Sequence, residues 1–248
     1  MKENQLSTLL AVLLTTATSS TAALVSVSSN AVTGGNAGTV NSQIIPTALE
    51  GPLGGLGTTW NILGGYSGSG LLDSAGNGTS IGFSTNYTER RGVTGTIGLE
   101  AARTFYQDFG RGNARNVGFS GLTPGQWYNV SLISVSNSSG GTEASVGTFS
   151  TTNFTFSPNS QTIDGRNSNG GRNVSTFVQG QNTVFFKNII ADSSGEINFI
   201  ADAADAGEFD ANAYRLQLNG AQILRIPEPS SFGLLGLSVI GFTLRRRR

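Results

Sequence analysis

The stretch "GLTPGQWYNVSL", residues 121–132, decides the fold. A turn signal, Thr123-Pro124-Gly125, runs straight into a segment in which Tyr128, Val130 and Leu132 share one face while Trp127, Asn129 and Ser131 share the other. A period of two marks a strand with one face on a core, because successive side chains of an extended chain point to opposite sides. Working outward, short apolar runs of the same kind recur between clusters of Gly, Asn and Ser. They predict strands over 58–63, 79–84, 116–121, 145–152, 174–178, 182–191, 196–201 and 213–218. In the last of these Tyr214, Leu216 and Leu218 alternate with Arg215 and Gln217, and Asn219-Gly220 then predicts a tight turn into 221–226, a closing hairpin. One segment has helical spacing: Leu99, Ala102, Phe105, Tyr106 and Phe109 predict a short helix over 98–109, capping one end.

Composition agrees with an all-β body. The 248 residues include 35 Gly, only 12% are charged, and 14 Phe within a 37% hydrophobic fraction supply a core. Gly, Asn and Ser favour turns, while Thr, Val, Ile and Phe fit a pleated sheet. The chain holds neither Cys nor His. That removes thiol nucleophiles, imidazole or thiolate metal sites and triads built on His. Outside the first 23 residues and the last four arginines, 10 basic residues face 14 acidic ones. A mildly acidic body without a basic stripe does not suit nucleic acid.

Both ends carry membrane signals. At the start, Lys2 precedes an apolar stretch from Leu6 to Leu14 and the small residues Thr21-Ala22-Ala23. This is the order of a secretion signal, so residues 1–23 are expected to form a signal helix handled by the Sec export machinery. At the end, Pro227-Glu228-Pro229 precedes 15 uncharged residues, Ser230 to Leu244, and the cluster Arg245, Arg246, Arg247 and Arg248. As a hydrophobic helix this run reaches about 22 Å, short of the ~30 Å hydrocarbon core. The arginines extend it by snorkelling and stay on the cytoplasmic side, so the expected role is a membrane stop. This tripartite tail resembles the PEP-CTERM sorting signal. The resemblance implies a Gram-negative exopolysaccharide producer, an exosortase-type membrane transpeptidase as partner, cleavage near Pro227-Glu228-Pro229, transient inner-membrane anchoring, and release to the cell surface or extracellular matrix. A plain tail anchor with an incidental proline linker is the alternative.

The expected organisation is therefore a signal peptide over 1–23, a flexible leader over 24–50 containing at most a first strand, a β-sandwich over 51–226 and the sorting signal over 227–248. Leu122, Pro124, Gly125 and Tyr128 resemble the tyrosine corner of Greek-key sandwiches such as fibronectin type III, in which the Tyr hydroxyl bonds back along the chain. The body is longer than such a domain. Its order of features, "TWN" with "LLDSAGNGTSIGF", the central corner and the late "ANAYRLQLNGAQI", is similar to galactose-binding-like jelly rolls.

Candidate chemistry is sparse. Asp73, Asn77 and Thr79 in "LLDSAGNGTS", and Asp202, Asp205, Glu208 and Asp210 in "ADAADAGEFDAN", offer oxygens to calcium. Each stretch reads first as an ordinary turn or a solvated acidic connection, and no cofactor is expected. Trp60 and Trp127 each bring an aromatic face of the kind that stacks on sugar rings. Trp60, beside Asn61 and near glycine-rich turns, is the first candidate for carbohydrate binding; core packing is the competing reading for both. The expected function is a non-enzymatic surface or matrix protein associated with exopolysaccharide. A secreted carbohydrate-active enzyme using paired carboxylates is the alternative. Facing carboxylates in a cleft favour the enzyme, and an exposed aromatic strip favours the binder.

Overall fold

The computed structural model describes residues 23–28, 40–44, 53–54, 59–63, 66–87, 89–92, 103–106, 114–134, 145–167, 177–204 and 216–227. Within the compact unit Ala23–Ile226 it is all-β. The first sheet contains β1 (Leu24–Ser28), β2 (Val40–Ile44), β3 (Thr59–Leu63), β9 (Trp127–Ile133), β12 (Thr183–Ile190) and β14 (Gly220–Arg225). The second contains β4 (Ser67–Gly68), β5 (Gly82–Thr85), β8 (Arg115–Ser120), β10 (Val146–Thr151), β11 (Ser160–Asp164) and β13 (Ile197–Ala203). Their orders are β12-β9-β14-β1-β3-β2 and β11-β10-β13-β8-β5-β4, and β6 (Glu89–Gly92) pairs with β7 (Arg103–Tyr106) in a separate ribbon.

One apolar cluster joins the two sheets. Val25, Val27, Val130, Leu132, Val184, Phe186 and Ile223 come from the first, and Phe83, Val117, Phe119, Phe149, Ile163, Ile197 and Phe199 from the second. Phe186 and Phe199 meet across the interface with ring centroids 4.8 Å apart. Sealing each ring away from water contributes about 1.5–3 kcal/mol, which is why the phenylalanines concentrate between the layers. On its other face, the first sheet buries a polar row. Gln222 donates to the Ser26 hydroxyl (2.9 Å) and to the Gly54 carbonyl (3.1 Å), its own carbonyl accepts from the Leu53 amide (3.0 Å), and Ser131 bonds Thr183 at 2.8 Å. Buried polar groups need such partners, so this face is a second, polar layer rather than bare surface.

The corner forms as expected. The Thr123 amide donates to the Tyr128 hydroxyl at 3.1 Å, and Tyr128 is buried at the start of β9. Gly125, at φ 74°, takes the left-handed turn that an L side chain avoids. Its amide reaches the Ala191 carbonyl, while the Leu122 amide reaches Gly195, so the corner is braced against the β12–β13 turn. Tyr128→Phe leaves the Thr123 amide without this acceptor, and urea denaturation is expected to show a loss of about 1–2 kcal/mol. Equal midpoints and slopes for the two proteins would refute the bond's contribution.

Four expectations change. The helix over 98–109 is not formed where the structure describes it: Arg103–Tyr106 is a strand paired with Glu89–Gly92, because a partner strand satisfies its backbone and overrides a helical spacing carried by few residues. The closing hairpin of 213–218 with 221–226 also fails. Both edges of β14 are occupied, one by β1 and the other by β9, leaving no edge for a third strand. The leader over 24–50 supplies β1, in the middle of the first sheet, and β2 at its edge. The sandwich thus begins at Leu24 rather than at residue 51; only burial between two partners reveals so short a strand as internal. Finally, of the strand expected over 174–178, residues 174–176 lie outside the described residues and 177–178 are not in a strand. The signal helix and the hydrophobic tail helix also lie outside the described residues.

Candidate functional site

Two features converge at one corner of the first sheet. The first is the point where the body ends. The Ile226 amide donates to the Trp127 carbonyl at 2.9 Å, the Gln126 side chain donates to the Ile226 carbonyl at 2.7 Å, and Arg225 donates to the Gln126 side-chain oxygen at 3.1 Å. The next residue, Pro227, is exposed. Among the described residues the backbone bonding of this sheet therefore runs up to Ile226, the residue before the Pro-Glu-Pro motif. At the other end of the chain Ala23 lies alongside, its carbonyl accepting from the Arg225 amide at 3.3 Å. Antiparallel pairing of β1 with β14 brings Ala23 and Ile226, the two ends of this unit, side by side.

The second feature is an aromatic group built on the outer edge of β12. That strand carries a bulge between Phe186 and Ile189, where Asn188 has a φ of 49° and its amide bonds the Asn129 side chain at 3.0 Å. A bulge re-aims side chains and bends an edge. The segment Thr152–Asn159 lies along it: Ile190 donates to the Phe154 carbonyl (2.9 Å), Phe156 to the Lys187 carbonyl (3.2 Å), and the Thr155 hydroxyl to the same carbonyl (2.9 Å). Such cover protects an open strand edge from pairing with another chain. Thr155 turns inward, leaving Phe154 and Phe156 on the outside, 60% and 69% exposed. They meet the half-buried Trp127, stacked on Phe156 at 5.3 Å and edge-on to Phe154 at 6.0 Å.

Two open grooves flank these rings. One, of about 650 Å³, is lined by Phe156, Gln161, Thr162, Gln179, Phe185 and Lys187 among others. Gln161 bonds both backbone groups of Phe185, and Lys187 Nζ stands 5.5 Å over the Phe185 ring. The other, about 330 Å³, lies beside Phe154, Asn153 and Asp192.

The residues singled out from sequence divide sharply. Trp60 is 1% exposed and presents no face to a sugar; its strand is internal, flanked by β1 and β2. Trp127, the second of the two tryptophans offered by the sequence, is the one that reaches the surface group. Phe154 and Phe156 were missed altogether. Their alternation in "TTNFTFSP" shows extended chain, but which side of it meets solvent depends on β12. Asp73 caps its own turn, accepting from the amides of Ala75 and Asn77 at 2.9 Å each and from the Asn77 side chain. Thr79 bonds the Leu71 carbonyl at 2.7 Å. Asp202 is exposed on β13, while Asp205, Glu208 and Asp210 lie outside the described residues. Among the described residues no group of three or more carboxylates is placed to hold a metal. No described helix is long and apolar enough to cross a membrane, and the sequence from Glu228 to Arg248 lies outside that description.

Residues 225–248 match the PEP-CTERM protein-sorting motif. The chain is thus a protein carrying an exosortase sorting signal, which implies export and membrane-linked processing by an exosortase. No curated protein and no solved structure matches it.

Proposed function

We propose that the chain is a non-enzymatic protein of the Gram-negative cell surface or extracellular matrix, exported through Sec, cut from its tail by an exosortase and then associated with exopolysaccharide. The observation that carries the polysaccharide reading is the groove beside β12, where Phe156 and Phe185 stand among Gln161, Thr162, Gln179 and Lys187. Aromatic faces matched to pyranose C–H faces, with amides, a hydroxyl and an ammonium around them, form the kind of surface that holds a sugar chain weakly. The described carboxylates lend the enzyme alternative little support: Asp73 and Asp192 cap turns, and Asp164 pairs with Arg166 at 2.6 Å.

Mature protein recovered from cells is expected to be retained on the producer's isolated polysaccharide with a Kd between millimolar and micromolar, about 4 to 8 kcal/mol. Phe185→Ser is expected to weaken retention by about tenfold, the equivalent of one stacking contact. No retention of the wild type would leave a structural role only, and equal retention of the variant would move the site out of this groove.

A further inference from the structure

The exposed rings and the end of the sandwich are the same place. Trp127 presents its ring to Phe154 and Phe156 and its carbonyl to Ile226, the last residue before the sorting motif. From Ile226 to Ser230, where the apolar run begins, the chain advances four residues, which reach at most ~14 Å when fully extended. With Ser230–Leu244 already short for a bilayer, none of that run can be spared as a spacer. The headgroup layer on each side is itself about 5–7 Å thick. A tail that spans the membrane from Ser230 therefore tethers Ile226, and with it the Trp127 corner, within that reach of the bilayer. Two phenylalanines exposed by 60% and 69% at that corner are the side chains that gain by leaving water for the headgroup and acyl boundary, where aromatic residues concentrate.

We propose that Trp127, Phe154 and Phe156 form a lipid-contacting patch that beds into the membrane holding the tail, orienting the sandwich until the Pro-Glu-Pro motif is cut. The inference rests on the membrane-spanning tail and not on the sugar groove. Cleavage removes the tether, and the patch leaves the bilayer because three rings alone bind weakly and reversibly.

The full-length chain is reconstituted into phosphatidylethanolamine–phosphatidylglycerol vesicles, with flotation reporting tail insertion. Fluorescence in vesicles with brominated acyl chains then reports contact with lipid. Of the two tryptophans Trp60 is buried, so it provides a constant background, and up to about half of the emission is expected to be quenched if Trp127 lies at the boundary. The double variant Phe154→Ser, Phe156→Ser replaces exposed side chains, so it is expected to keep its fold and still float, but to lose most of the quenching. Wild type that floats without being quenched, or a double variant quenched as strongly as wild type, overturns the patch alone. Wild type that fails to float removes the spanning tail and the patch together. Shielding of Trp127 from an aqueous quencher by the isolated polysaccharide, without quenching by brominated lipid, assigns the rings to sugar instead.

Discussion

Replacing Pro227-Glu228-Pro229 with three alanines is expected to hold the full-length chain in the inner membrane, with near-complete loss of the shorter, released species. The last described backbone bond of the sheet belongs to Ile226, and Pro227 is already exposed. The substitution therefore touches the sorting motif without removing a described contact of the sandwich, so a sorting defect is not confused with misfolding. Membrane fractionation and intact mass, in cells with and without an exosortase, provide the readout. The wild type in the exosortase-deficient strain should match the triple variant. A variant released at the wild-type rate and mass would show that Pro-Glu-Pro is not what the processing enzyme reads.

The second large effect is Trp60→Ala. With the indole 1% exposed on an internal strand, its removal leaves a cavity as well as losing its burial, and a cost of about 3–5 kcal/mol is expected. That is a large share of the ~5–15 kcal/mol that holds a typical domain folded. Urea denaturation should show a much lower midpoint, and the yield of intact mature protein should fall as proteases remove the unfolded fraction. A loss under about 1 kcal/mol would mean that the indole is loosely packed. Under conditions where the variant remains folded, polysaccharide retention should be unchanged, because the proposed groove lies along β12 and not β3.

The two tryptophans show how far a sequence reading of the site could go. Each sits in an alternating stretch with polar neighbours, and each has the same stacking chemistry. Strand order does not separate them, since β3 and β9 each lie between two strands. What differs is the long-range surroundings: Trp60 is 1% exposed, whereas Trp127 is half-buried opposite Ile190 of the bulged β12, where Phe154 and Phe156 are delivered by a loop more than 20 residues away in the chain. The same dependence explains β1. Five residues, Leu24–Ser28, carry too little pattern to be told from a frayed leader, yet they pair with β14 across almost 200 residues and with β3 in parallel.

The sequence by itself determined what is local. Period-two alternation and turn chemistry set most strands of the sandwich, the five-residue spacing from Thr123 to Tyr128 set the corner, and the ordered triplet, apolar run and arginines at the chain end set the sorting signal. Each is read within a short window, because side-chain alternation, turn conformations and membrane partition depend on neighbouring residues. Only the tertiary structure decided which strand has which partners, and therefore what is buried and what is exposed. The edges of β14 were filled by β1 and β9, so the hairpin predicted from Asn219-Gly220 had no edge to use. Residues 103–106 found a strand partner and did not form a helix. Pairing across the whole chain also brought Ile226, the last residue of the sandwich, beside Trp127, whose ring meets the exposed Phe154 and Phe156. That juxtaposition depends on long-range hydrogen bonding between β9, β12 and β14, which no short window of sequence contains.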